Sequence, residues 1–462
     1  MLDKRRNSCQ NGKNINFNTL KGVPMIKQIY NKMSYFTSRY QRFLTKPEYK
    51  FFKEMIYSII ASRKPIVADQ ARCLTGKNNN TKHIEKRLRR NLKNKNLTDK
   101  IIEANLSLIS KSKEKIKYII VDDTDIQKKY AVKMEHISRV RDGNTGKIGQ
   151  GYNVLDMITV SHESSSIKCI YQELYNISGE EMPVSSNTKI LNALKKISKH
   201  INISKITMVF DRGFDRSTLI EPFLVNKYRF VIRLMKTRYL EIFGQLSNYR
   251  EWIKNTSFKW EMIAIKTSRN GRIKNNRYEV GILKVKYIVK REKESLGKKV
   301  NMWLLVTRKK GAPKGKGYSY YLSNVEITDA YEAAKAIFES YGNRWKIEEY
   351  HRYIKENYRI EEIRLGKYVR LKMMILLMSI SINIILGELG KRVCIYMSNK
   401  ITKRRYIRWK KLKYFPLYIV TEYISKVISG LDLSKLRKEK NKSDNEDKQI
   451  CLFADVLLYG SV

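Results

Sequence analysis

The chain has 462 residues, of which 94 are Lys or Arg and 44 are Asp or Glu, so its formal net charge is +50. Such an excess attracts polyanions and makes their binding salt-dependent, which favours a nucleic-acid partner over a ribosome-associated or membrane-surface role. With 42% hydrophobic residues, the chain can bury a sizeable core. Five scattered cysteines without a CxxC pair exclude a disulfide framework and a structural zinc site, and favour a cytoplasmic protein.

The N-terminal part, residues 1–112, is basic and predicted to be helical. Residues 65–74 predict a short helix that begins at a proline, and residues 82–92 predict a second, very basic helix with an apolar residue at every fourth position. This pair resembles a helix-turn-helix whose second helix enters a DNA groove. A solvated basic helix is the alternative. The DNA contacts predicted for the second helix are Lys86, Arg87, Arg89 and Arg90.

Acidic residues follow two short, β-branched runs further along the chain. Residues 117–121 lead into Asp122-Asp123-Thr124-Asp125, and residues 206–210 lead into Asp211. Apolar runs of this length followed by acids predict buried parallel strands that present their carboxylates at one edge of a sheet. A single aspartate after a strand is more often a turn former or a helix N-cap, so the pair is more informative than either one.

The segment 341–355 predicts a helix with one distinctive polar stripe. Tyr341, Arg344, Glu348 and Lys355 fall within roughly 60° of one another on a helix of 3.6 residues per turn, whereas Glu349 falls outside that stripe. A carboxylate flanked by a guanidinium, an ammonium and a phenol is suited to holding a metal beside phosphates. A solvated amphipathic helix is the alternative interpretation.

Two apolar regions complete the pattern. From about residue 233 to residue 310 the chain is predicted to be β-rich, with a hairpin at Asn270-Gly271 and a later strand at 302–307. The apolar stretch 373–386 is shorter than the about 20 residues that a membrane span needs, so we predict a buried core helix and no membrane partner.

Together these motifs resemble the DDE transposases of bacterial insertion sequences, in the YREK-signature branch (the insertion-sequence-four family). Tyr341, Arg344, Glu348 and Lys355 match the signature without a gap, Asp123-Thr124 matches the first-aspartate motif, and Asp211-Arg212 matches the second.

The resemblance implies an α/β fold: an RNase H-like mixed sheet flanked by helices, interrupted by a β-rich insertion, with a helical N-terminal DNA-binding domain. The expected regions are 1–112 (DNA-binding), 113–230 (first part of the catalytic core), 231–328 (insertion), 329–390 (second part, with the glutamate helix) and 391–462 (basic C-terminal region).

The resemblance also implies a function. We expect a cytoplasmic, nucleoid-associated bacterial transposase that binds the terminal inverted repeats of its element and acts on double-stranded DNA, as a homodimer, by cut-and-paste transposition. Catalysis would be two-metal phosphoryl transfer with two Mg²⁺ per active site and Mn²⁺ as a substitute, held by Asp123, Asp211 and Glu348.

Other family positions imply contacts with DNA. Tyr341, Arg344 and Lys355 would hold phosphates, and Trp303 would stack on a base flipped out of the transposon end, unless it is a buried strand tryptophan. Two rival functions remain open: an RNase H-like nuclease that does not join strands, and a catalytically silent DNA-binding derivative.

Overall fold

The computed structural model describes residues 23–390 and 416–429, apart from residues 76–79, 113, 130, 132, 144, 162–166, 177–184, 268–272, 293–294 and 314. The predicted turn at Asn270-Gly271 and most of the predicted C-terminal region 391–462 lie outside the described residues.

The N-terminal part is helical, as predicted. Its second helix begins with a capping box, in which Thr45 and Glu48 each satisfy a backbone N–H of the other. The fourth helix is the basic one, and its apolar Leu88 is fully buried, as is Leu92 just after it. The five helices are α1 (Val23–Ser38), α2 (Lys46–Ser62), α3 (Val67–Leu74), α4 (Thr81–Asn91) and α5 (Lys95–Ser110).

The segment 116–233 is built on a mixed sheet. β1 pairs antiparallel with β3 and parallel with β5, and β5 in turn pairs parallel with β6. Its elements are β1 (Ile116–Gln127), β2 (Ser138–Arg141), β3 (Ile148–Ser161), β4 (Ile167–Tyr175), α6 (Ser186–Ser198), β5 (Thr207–Phe210), α7 (Ser217–Val225) and β6 (Arg229–Arg233). The predicted mixed sheet flanked by helices is therefore confirmed.

The predicted β-rich segment extends this sheet. β12 pairs with β6, so the described strands form one sheet in the order β2-β3-β1-β5-β6-β12-β11-β10-β7-β8, with β4 on β3 and β9 on β10. The antiparallel pairing of β9 with β10 agrees with the predicted hairpin. The strands are β7 (Tyr239–Ile242), β8 (Gln245–Asn248), β9 (Trp260–Thr267), β10 (Ile273–Ile288), β11 (Lys299–Lys309) and β12 (Tyr318–Ser323).

Helices return after the sheet: α8 (Ala330–Gly342), α9 (Trp345–Asn357), α10 (Tyr368–Ile384) and α11 (Pro416–Ser429). The single helix predicted over 341–355 is wrong in one respect, because the chain bends between α8 and α9. Gly342 and Asn343, both weak helix formers, lie at the bend, and the Asn343 side chain donates to the Glu339 carbonyl at 2.8 Å.

Helix α10 lies in the core, as predicted. The segment Tyr368–Gly387 is long and apolar enough to cross a membrane, but 83% of it is buried inside the protein, which is the behaviour of a core helix. Helices α2 and α5 both pack against α10, and Tyr57 of α2 donates to the carbonyl of Ile428 in α11. The N-terminal helices and the glutamate helix α9 therefore share one apolar core.

This shared core predicts that the N-terminal helices and the sheet with its helices α9 and α10 unfold together. Leu377→Ala, at a fully buried position of α10, is expected to lower the free energy of unfolding by about 2–5 kcal/mol because it leaves a cavity. Leu296→Ala, at a position that is 66% exposed, is the control and is expected to change stability by less than about 0.5 kcal/mol. Urea titrations followed by circular dichroism and by a fluorophore on α2 measure both, and separate transitions from the two probes would contradict the shared core.

Candidate functional site

Asp122, within β1, and Asp211, directly after β5, lie on the same face of the sheet; β1 continues past its acids to Gln127 instead of ending before them as predicted. Ile120 of β1 pairs with Val209 of β5, and both side chains belong to the core that contains α9. Because side chains alternate along a strand, Asp122 and Asp211, each two residues further on, point to that same face. The two carboxylates therefore lie next to each other and face the helix that carries Glu348.

Asp123 points to the opposite face. Val121, two residues before it, packs in the second core, with α6. The Tyr175 hydroxyl donates to Oδ2 of Asp123 at 2.9 Å. Burial raises the pKa of Asp123 to about 7, although the hydrogen bond from Tyr175 opposes that rise. Sequence reasoning assigned the first-aspartate role to Asp123, but the structure does not bring this carboxylate together with Asp211 and Glu348.

The bend between α8 and α9 brings three polar groups of the predicted stripe to these aspartates. The Tyr341 hydroxyl donates to Oδ1 of Asp211 at 2.9 Å. Arg344 lies between two acids: its Nη2 is 2.5 Å from Oε1 of Glu348, and its Nη1 is 4.0 Å from Oδ2 of Asp122. One guanidinium and one phenol thus contact carboxylates from β1, from the end of β5 and from α9.

The pKa values of Asp211 and Asp122 are shifted in opposite directions. Burial alone would raise the pKa of Asp211, but the Arg344 guanidinium and two hydrogen bonds outweigh it, so that this pKa is lowered. Burial raises the pKa of Asp122, although His351 and Arg344 oppose the rise. Asp211 is therefore ionised at neutral pH, and additional positive charge near Asp122 would favour its ionised form as well.

A buried contact between His351 and Asp156, which sequence reasoning missed, lies on this face of the sheet. His351 lies one helical turn after Glu348, and its Nε2 is 3.0 Å from Oδ2 of Asp156. Asp156 is fully buried on β3 opposite Asp122, and Gln172 donates to its other oxygen at 2.5 Å. Burial would lower the pKa of His351, but Asp156 and Asp122 outweigh it and raise that pKa. The three-residue spacing from Glu348 was the available sequence signal.

Lys355 lies at the other end of α9. Its Nζ is 3.2 Å from Oδ1 of Asp125 and 3.5 Å from Oε1 of Glu361. The fourth member of the predicted stripe therefore faces a different acidic pair, beside the carboxylate cluster instead of within it.

The donor set suits a divalent metal. Carboxylate oxygens are the ligands that Mg²⁺ prefers. In the part of the chain that the structure describes, no group of three Asp, Glu, His or Cys side chains is close enough together to hold a metal ion. Asp122, Asp211 and Glu348 instead surround Arg344, whose guanidinium already supplies the positive charge that this cluster attracts. By donor type these three carboxylates suit a divalent metal, and in this structure Arg344 is the cation that they lie around.

Trp303 is buried, which is the alternative interpretation of this residue. Only 8% of it is exposed, and its indole N–H donates to the Ile327 carbonyl at 2.9 Å. It belongs to the small core beneath α8, with Ala334 and Ile337. Trp345, by contrast, is 44% exposed and follows Arg344 directly. Trp345 is thus an exposed aromatic residue adjacent in the chain to Arg344, which sequence reasoning did not single out.

The basic helix α4 presents a cationic groove. Two of the four predicted DNA contacts are engaged within the protein, because Arg87 pairs with Glu54 at 2.6 Å and Arg89 with Glu85 at 2.7 Å. All four line a groove of about 920 Å³, which also contains Arg370 of α10. The remaining residues lining it are Lys82, His83, Ile84, Glu85 and Lys93.

Comparison with known proteins gives one family match. The family model described as "Transposase DDE domain" matches residues 113–384. No curated protein matches the chain. Among solved structures, the cryo-EM structure of a piggyBac transposase synaptic complex with hairpin DNA aligns with a TM-score of 0.39 and 10% identity, over 92% of this chain and 83% of that chain. No conclusion about this chain depends on so low a score.

Substitution of the two tryptophans is expected to change stability to very different extents. Trp303→Ala is expected to lower the free energy of unfolding by about 3–5 kcal/mol, because it empties a core position and leaves the Ile327 carbonyl without its donor. Trp345→Ala is expected to change it by less than about 0.5 kcal/mol. Chemical denaturation measures both, and equal effects would contradict the burial described for Trp303.

Proposed function

The chain belongs to the transposase DDE domain family, because the family model matches residues 113–384, more than half of the chain, and we propose that it is a cut-and-paste DNA transposase of a bacterial insertion sequence. The observation that carries the proposal is the convergence of Asp122 and Glu348 on Arg344 and of Asp211 on the neighbouring Tyr341. Three carboxylates from separate parts of the chain, next to a guanidinium and a phenol, form a site for phosphate and metal together.

The proposed metal ligands are Asp122, Asp211 and Glu348. Asp122 takes the role that the sequence motif assigned to Asp123, because it is the one of the two that shares a face with Asp211. Two Mg²⁺ ions, or Mn²⁺ in their place, would activate the attacking oxygen and stabilise the leaving oxygen of the scissile phosphate. Asp122 is central in this arrangement, since its strand lies beside the strand of Asp211 and under the helix of Glu348.

Residues of α8 and α9 would hold the DNA. Arg344 and Tyr341 lie where a phosphate next to the scissile bond would be held, and a guanidinium binds two phosphate oxygens at once. Lys355 would hold a neighbouring phosphate further along α9 as a point charge. Trp345 is the exposed ring next to these groups, so we assign base stacking at the transposon end to Trp345 in preference to Trp303.

The finer family assignment is part of the proposal. The YREK-signature residues support membership of the insertion-sequence-four branch, and the terminal inverted repeats would be bound as double-stranded DNA by the α4 groove. Pairing of two ends implies a homodimer, acting in the cytoplasm of a bacterial host. The five-region organisation into DNA-binding part, split catalytic core, β-rich insertion and basic C-terminal region belongs to this proposal too.

The rival functions differ from it in one activity each. A nuclease without strand joining would cut end DNA but would not transfer a 3′-hydroxyl to a second duplex. A silent DNA-binding derivative would do neither. Cleavage of uncut end DNA, measured together with strand-transfer products from pre-cut end DNA and a supercoiled target plasmid, separates all three.

The metal-ligand assignment predicts which aspartate is indispensable. Asp122→Asn, Asp211→Asn and Glu348→Gln are each expected to reduce cleavage of labelled end DNA in Mg²⁺ by at least about a hundredfold, while the gel shift of the same DNA persists. Asp123→Asn is the matched control, because it makes the same chemical change one residue away, on the opposite face of the sheet.

Asp123→Asn is expected to keep most of the cleavage rate. Loss of cleavage in Asp123→Asn together with normal cleavage in Asp122→Asn would mean that the opposite face of β1 forms the active site. Thermal melts of all four variants identify any loss that is caused by unfolding.

The α4 groove predicts salt-dependent binding of the terminal repeat. Lys86→Ala and Arg90→Ala in the full-length chain are expected to weaken binding, and each to reduce the slope of log K against log salt by about 0.9 for every phosphate that the protein no longer neutralises. Lys199→Ala, an exposed lysine just after α6, is the charge-matched control. Unchanged slopes in the α4 variants would place end recognition elsewhere in the chain.

A further inference from the structure

Each of the three proposed metal ligands contacts, or lies within 4.0 Å of, Arg344 or Tyr341. Glu348 accepts from Arg344 at 2.5 Å, Asp211 accepts from Tyr341 at 2.9 Å, and Asp122 lies 4.0 Å from the Arg344 guanidinium. Arg344 also lies over the Tyr341 ring, 5.7 Å from its centroid. The guanidinium is only 17% exposed, whereas Glu348 is 53% exposed. The positive charge in this cluster is therefore supplied by the Arg344 side chain, which is largely buried there.

We propose that Arg344 and Tyr341 close the carboxylate cluster in the DNA-free protein, and that DNA phosphates open it to the metal ions. The inference rests on the proposed function and adds to it that the binding of DNA and the binding of metal are coupled. Arg344 binds either Glu348 and Asp122 or a phosphate, since one guanidinium cannot make both sets of contacts in full. When a phosphate takes Arg344, the carboxylates lose their positive partner and gain affinity for a divalent cation.

Two features of the structure support this exclusive arrangement. First, Arg344 lies 2.5 Å from Glu348 and 4.0 Å from Asp122, so these carboxylates already share one positive partner. Second, Arg344 lies just before α9, where its backbone N–H donates to the Tyr341 carbonyl at 2.9 Å and its carbonyl accepts from Ile347 at 3.2 Å, three residues apart in each case. A change in the Arg344 side chain therefore needs no disruption of either helix.

Linkage makes the coupling reciprocal. If DNA raises the affinity for metal by some factor, metal raises the affinity for DNA by the same factor, typically about 5- to 150-fold for coupled sites. The protein would then hold metals tightly only when a phosphate is in place, which prevents the metal-loaded site from hydrolysing DNA to which it is not properly bound.

The test measures Mn²⁺ binding to the full-length chain by the electron paramagnetic resonance signal of free Mn²⁺. Titrations are made without DNA and with a duplex of the element's terminal repeat that ends in a 3′-dideoxynucleotide. The wild-type protein is expected to bind Mn²⁺ about 5- to 150-fold more tightly with DNA. Arg344→Ala is expected to bind Mn²⁺ in the absence of DNA about as tightly as the wild type does in its presence, with little further gain from DNA. Arg344→Lys keeps the positive charge but lacks the paired N–H donors of a guanidinium. Its Mn²⁺ affinity without DNA is expected to lie between those of the wild type and Arg344→Ala.

Arg352→Ala is the matched control, because it removes the same charge from α9, eight residues further on and roughly 80° around the helix. It is expected to leave the DNA-dependent gain as in the wild type. A general electrostatic effect of Arg344→Ala would instead raise Mn²⁺ affinity equally with and without DNA, and this result would overturn the proposal, as would equal Mn²⁺ affinity of the wild type in both states. The metal assignment is tested separately: if Asp122→Asn and Glu348→Gln bind Mn²⁺ like the wild type, it is the proposed function that fails.

Discussion

The two-residue period of a β-strand is the constraint on which the whole candidate site depends. Asp122 and Asp123 are neighbours in sequence, yet one faces α9 and the other faces α6, because successive side chains of β1 point to opposite faces of the sheet. The parallel pairing of β1 with β5 then fixes which of them meets Asp211. A slip of one residue in this pairing would exchange their environments completely. The register is held by the apolar side chains before the acids, which are buried on both faces.

Helix α10 connects the sheet that carries the candidate site to the N-terminal helices. Helix α10 is buried on nearly all sides, and it contacts the N-terminal helices α2 and α5 as well as β4 of the sheet. The basic groove on α4 includes Arg370 from α10, so the surface proposed to bind the transposon end is partly built by a helix that packs against the sheet. DNA bound there, as proposed, would be positioned relative to the carboxylates by a shared apolar core instead of by a linker.

Sequence patterns predicted the elements better than the contacts between them. The strand-acid runs, the basic helix with buried Leu88 and Leu92, and the apolar α10 were all predicted from periodicity and length, because these depend on local sequence. The choice between Asp122 and Asp123 depends on strand register, which is set by the partner strand and has no local signal in a run of consecutive acids. The burial of Trp303 depends on α8 packing over β11, about 30 residues later in the chain.

The break between α8 and α9 at Gly342-Asn343 likewise shows that contacts between elements are harder to predict from sequence than the elements themselves. The polar stripe was predicted on one continuous helix, and its geometry was nearly right, because Tyr341 and Arg344 do reach the acids that the pattern implied. A glycine followed by an asparagine was the local signal for the bend. What the sequence could not indicate is that Arg344 would contact Glu348 and Asp122 directly, since this requires the relative placement of α9 and β1.

The most direct test of the proposed active site is a structure of the full-length protein bound to its pre-cut end DNA and Mn²⁺, with anomalous scattering used to locate the ions. We predict Mn²⁺ coordinated by Asp122, Asp211 and Glu348, with Arg344 turned away from Glu348 onto a DNA phosphate. Mn²⁺ coordinated by Asp123, with Asp122 directed away from the ions, would contradict the register of β1 on which the proposed active site is built.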